Sequence, residues 1–110
     1  MAIPHAGPGE MIDVRPLKAA LAAERTRTLV KTDDLEVIRL VLAAGKEIPS
    51  HRAPGRLVVH CLEGRVVFSA MGNDLDLQAG HLLHLPADEP HSLRAVDASS
   101  LLLTIVRRAD

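Results

Sequence analysis

The sequence predicts an all-β sandwich or barrel. Short runs rich in Val, Ile, Leu and Thr recur along the chain, each bounded by Gly, Pro, Asn or Asp. Several runs alternate apolar and polar side chains, as where Leu75 and Leu77 alternate with Asp74 and Asp76. Only residues 16–25 carry helix signals.

Residues 1–12 contain Pro4, Gly7, Pro8 and Gly9 and read as a loose arm; residues 13–110 read as one domain. Pro16 opens an Ala-rich stretch in which Leu17 and Leu21 share a face, which predicts a short helix over 16–25 packed outside the sheets. Strands are expected at 26–32 and 35–42 around an Asp33-Asp34 turn. In the second, Ile38, Leu40 and Leu42 share one face and Val37, Arg39 and Val41 the other. From Gly45 a loop leads to His51, and Pro54-Gly55 turns the chain into an apolar run over 57–62 that ends at Glu63-Gly64. That run reads as a buried strand. A hairpin over 65–78 turns at Gly72-Asn73. Strands at 81–86, 91–96 and 100–106 follow, and residues 107–110 form a solvated tail. The total is seven to nine strands and one early helix.

A chain of 110 residues suits a single domain, and a hydrophobic content of 47% suffices for a packed core. Phe68 is the only aromatic residue, so any pocket has aliphatic walls and no platform for stacking sugars or bases. A net charge of −1 gives no electrostatic reason to expect nucleic acid or an anionic membrane as partner. Cys61 is the only cysteine, which excludes an intrachain disulfide. No run approaches the ~20 apolar residues of a membrane span. Pro and Gly stand where a signal peptide would need its apolar core. A cytoplasmic location is expected.

Two stretches, GKEIPSHRAPGRLVVHCLEG from Gly45 and GHLLHLPADEPH from Gly80, each place a glycine and a histidine beside a strand. Together they resemble the paired motifs of the cupin superfamily. Gly45, His51 and Gly64 fall on the first motif, and Gly80, Pro86 and His91 on the second. The resemblance covers about half the chain and implies an antiparallel jelly-roll β-barrel. It also has departures. Ala53 stands where the family has its second histidine and Leu57 where it has glutamate; Asp88 and Ala95 replace the glycine and asparagine of the second motif. Two of the four residues that usually hold a metal are therefore missing.

By this resemblance His51 and His91 face one another across the barrel, as ligands or acid/base groups. If Leu57 takes the inward position of the missing glutamate, strand alternation sends Val59 and Cys61 inward and His60 outward. The expected pocket is thus His51, Leu57, Val59, Cys61 and His91, with any divalent transition metal held weakly by His51 and His91 alone. Cys61 reads as a small buried hydrophobe. Glu63 reads as a turn or surface charge, His81 as a turn residue and His5 as solvated; His84 has no assigned orientation. Three functions compete: a small-molecule-binding cupin without strong catalysis, a metal-dependent dioxygenase or isomerase, and a dimeric structural or interaction protein. A homodimer is expected, because the runs at 57–59 and 101–106 are apolar on both strand faces.

Overall fold

A computed structural model describes residues 5–107. The outermost residues of the expected arm and tail, 1–4 and 108–110, lie outside the described residues. The described chain holds nine strands: β1 Arg27–Lys31, β2 Leu35–Leu42, β3 Glu47–His51, β4 Arg56–Glu63, β5 Arg65–Ala70, β6 Asn73–Gln78, β7 Leu82–Leu85, β8 His91–Ala95 and β9 Ser99–Val106. They form two antiparallel sheets, β1-β2-β9-β4-β7 and β3-β8-β5-β6, packed face to face as a jelly-roll barrel.

The core lies between the sheets. Alternate residues of β4 (Leu57, Val59 and Cys61) and of β9 (Leu101 and Ile105) meet Val66, Phe68 and Ala70 of β5 and Leu93 and Ala95 of β8. The strand parity read from the sequence therefore holds. Burying each of these aliphatic side chains contributes about 1.5–3 kcal/mol, which offsets the near absence of aromatic bulk.

Several elements differ from the sequence reading. The helix is a six-residue 3-10 helix, Lys18–Ala23. Only Leu21 in it is buried and no side chain of its own caps it, so nothing sustains the longer helix that alanine propensity favours. The segment before His51 is a strand, not a loop. β3 pairs only with β8 at a sheet edge, where Pro49 need not donate to a neighbour. The β5–β6 turn sits at Met71-Gly72 rather than Gly72-Asn73, with Ala70 paired to Asn73. Arg107, expected in the solvated tail, donates to Glu36 at 2.8 Å. Among the described residues no helix is long and apolar enough to cross a membrane.

Residues 5–17 lie against the five-stranded sheet. The Ala6 N–H donates to the Leu29 carbonyl at 2.8 Å. A charged cluster fastens the other end of the segment. Glu63 accepts from the backbone N–H of Leu17 (2.8 Å) and Lys18 (2.9 Å), from the Ser100 hydroxyl (2.7 Å) and from Arg39 (3.3 Å). Arg39 is itself buried and also donates to the Arg15 carbonyl at 2.7 Å. Glu63 is thus an internal tie, not a surface charge. Gly64, which follows it, has φ +90° and lies so close to Ser99 and Ala98 that a side chain would collide with them.

Candidate functional site

Hydrogen bonding between β3 and β8 sets His51 directly opposite His91. The two histidines therefore sit side by side on neighbouring strands of one sheet, not across the barrel as expected. Their ring centroids are 4.3 Å apart at 61°. Phe68 of β5 stacks on His91 at 5.5 Å and 10° and holds that ring in place. His91 is buried whereas His51 is exposed at the cavity's edge.

Both rings are also fixed by backbone. Nδ1 of His51 lies 3.1 Å from the Pro49 carbonyl, and Nδ1 of His91 lies 3.0 Å from the Glu89 carbonyl. A carbonyl oxygen only accepts, so Nδ1 carries the hydrogen in each ring and donates it. In the neutral ring Nε2 is then left as a lone-pair acceptor. Burial, aided by the neighbouring His51, pushes the His91 pKa below the usual histidine range, against the opposing effect of Glu89. Arg39 Nε is the one buried side-chain nitrogen or oxygen without a partner among the described residues. Nε2 of His91 makes no hydrogen bond either, so it must reach accessible space.

The two rings border a small cavity of about 90 Å³. Leu40, Leu57 and Leu103 wall it from one sheet and Ile48, Phe68 and Leu93 from the other, with His51 and His91 as its polar groups. Leu57 thus lines the cavity as expected. Val59 and Cys61 point inward but belong to the sealed core and do not line it. Burial, with Glu63 nearby, raises the Cys61 pKa, and its thiol donates to the Glu63 carbonyl at 3.5 Å. A thiol so held is protonated at neutral pH and is a poor metal ligand.

The donor set does not fit a metal centre. Among the described residues no group of three or more His, Cys, Asp or Glu side chains is placed to hold an ion. Ala53 and Leu57 are both buried and offer no donor atom. The cavity therefore supplies two nitrogens where a catalytic zinc or non-haem iron site uses three protein ligands. The other histidines lie elsewhere. His84 and His81 are exposed, and His81 Nδ1 accepts from the Gln78 N–H at 2.9 Å. His60 pairs with Leu102 and Leu82 on the outer sheet face, and His5 is exposed on the arm. Leu40, Ile48, Phe68, Leu93 and Leu103 line the cavity and were missed as site residues by the sequence reading. The signal for Phe68 was its being the only aromatic in the chain.

A larger open groove of about 500 Å³ runs between the arm and β1–β2. Two of its cations are paired, Arg27 with Glu24 at 2.7 Å and Arg39 with Glu63 at 3.3 Å.

The family described as "Cupin domain" matches residues 38–106, more than half of the chain. No curated protein matches the sequence. Among solved structures, a conserved protein of unknown function from Streptococcus pyogenes is 27% identical with a TM-score of 0.76, over 100% of this chain and 97% of that one. An RmlC-like cupin from Desulfovibrio desulfuricans is 26% identical with a TM-score of 0.72, over 88% and 97%. A cupin superfamily protein from Desulfitobacterium hafniense has a TM-score of 0.77 at 19% identity, over 94% and 100%, a likeness of fold alone.

Proposed function

Because the chain belongs to the cupin family, we propose that its barrel serves as a small-molecule binder, taking a compact organic ligand in the cavity beside His51 and His91 without a metal ion. One observation carries the reading: an apolar cavity of about 90 Å³, walled by leucines, Ile48 and the chain's one aromatic residue Phe68, whose polar groups are two imidazoles with uncommitted Nε2 atoms. A few convergent polar groups in an apolar pocket are the usual make-up of a ligand site. The metal-dependent enzyme reading is disfavoured by the donor set, which stops at two nitrogens. A purely structural barrel is disfavoured by His91. Burying an imidazole at this wall carries a desolvation cost that an aliphatic side chain there would not.

Methyl-detected NMR tests this reading. A screen of small oxygenated organic molecules should yield hits that shift the methyls of Leu57, Leu93 and Leu103, and His91→Ala should abolish those shifts. A screen without any such shift would reject the binder. Metal analysis of untagged protein completes the test. Near one transition metal per chain, lost in both His51→Ala and His91→Ala, would overturn the metal-free reading in favour of the enzyme.

A further inference from the structure

The geometry points to a specific ligand chemistry: an uncharged molecule with a short aliphatic body and a hydroxyl head that donates its hydrogen to Nε2 of His51 or His91. This inference rests on the cavity being a ligand site, as proposed above, and narrows what it takes. The first support is the pair of Nδ1 contacts. Each Nδ1 hydrogen is already spent on a backbone carbonyl, Pro49 for His51 and Glu89 for His91. Neither neutral ring therefore has a hydrogen left to offer. Two acceptors side by side repel a carboxylate or phosphate, whose oxygens also only accept, and attract an O–H.

Neighbouring groups reinforce the choice. The other residues lining the cavity are Leu40, Ile48, Leu57, Phe68, Leu93 and Leu103, so an anion entering it would meet no cation among them. A charged head would lose its hydration without replacement. Size sets the second limit. About 90 Å³ is well below the ~150 Å³ apolar cavity that admits benzene. The buried body is accordingly smaller than a benzene ring, or about four carbons.

The test uses the full-length wild-type protein at pH 7.5 and three probes with the same carbon chain: butan-1-ol, 1-fluorobutane and butyrate. Affinities are read from the methyl shifts of Leu57, Leu93 and Leu103. Butan-1-ol should bind about tenfold more tightly than 1-fluorobutane, the scale expected when one acceptor is left unpaired. Butyrate should bind more weakly than butan-1-ol. A merely greasy cavity would instead favour 1-fluorobutane, because its head is easier to dehydrate. Equal or tighter binding of the fluoride overturns the inference while leaving the cavity a binding site. Tighter binding of butyrate does the same. No binding by any probe overturns both the inference and the binder beneath it. A second measurement needs no ligand or variant. Long-range ¹H–¹⁵N correlation should show Nδ1–H tautomers at both histidines, and an Nε2–H tautomer at both would reject the proposal.

Discussion

Arg39 and Glu63 stand 24 positions apart in sequence and meet on the outer face of one sheet, with Ser100 of the intervening strand between them. Glu63 gathers four donors, two of them backbone N–H groups at the start of the 3-10 helix. It thus does from a distance what a local capping residue would do. Removing the carboxylate would leave the Arg39 guanidinium buried without its counter-charge. Glu63→Ala should therefore lower stability by about 3–5 kcal/mol in urea unfolding; a loss below ~1 kcal/mol would refute the tie. Acid probes the same contact. Burial by itself would raise the Glu63 pKa, but the bonds from Leu17, Ser100 and Lys18 and the Arg39 charge outweigh it, and the carboxyl titrates below its usual value. A depressed acid contributes stability above the unfolded value, about 4.3, and loses it as pH falls through the folded one. The Leu17 and Lys18 amides should stay protected from hydrogen exchange at pH 5 and lose protection only as the pH falls below the unfolded value. Loss already at pH 5 would contradict this. None of this was legible at Glu63, because a carboxylate before a Gly turn looks alike whether or not another segment folds back onto it.

At the scale of elements, turn chemistry marked most strand ends within a residue or two. The β2 boundaries came out as read, since Asp33-Asp34 and Ala44-Gly45 bracket an uninterrupted strand pattern. The β5–β6 turn moved by one position for a conformational reason. Met71 has φ 54° and Gly72 φ 77°, the pair of left-handed residues required by a two-residue type I′ hairpin. Asparagine tolerates that conformation better than methionine, and Met71 is exposed, so its side chain contributes little packing. Met71→Asn should stabilise the protein by about 0.5–1 kcal/mol and raise the thermal midpoint by a few degrees. A lowered midpoint on calorimetry would show that Met71 makes a contact worth more than the turn. β3 escaped the sequence reading because an edge strand with a proline carries the same local signal as a loop.

At the scale of the whole molecule, the five-stranded sheet has an outer face that the arm covers at one end only. Away from Arg39, Val37, Thr104 and Val58 form a row across β2, β9 and β4, continued by His84 on β7. Leu82 is 62% and Val106 43% exposed beside it. We propose that a second copy of the chain covers this face through a twofold axis, as an apolar sheet surface with few charges invites. Sedimentation at micromolar concentration should give a dimer, and Leu82→Glu with Leu102→Glu should give a folded monomer. Wild-type protein sedimenting as a single chain would reject the dimer.

The sequence by itself determined the class of fold, the positions of most strands, and which residues of β4 point inward. Those properties depend on local turn chemistry and on a side-chain period of two, both of which are written in consecutive residues. It also determined that Ala53 and Leu57 offer no donor atom, since alanine and leucine have none wherever the chain puts them. Only the tertiary structure decided that His51 and His91 are neighbours on adjacent strands, that their Nδ1 hydrogens are committed to backbone carbonyls, and that Val59 and Cys61 are sealed off from the cavity that Leu57 lines. Strand pairing joins residues 40 positions apart, and the hydrogen bonds that assign donor and acceptor roles exist only once those strands are in register.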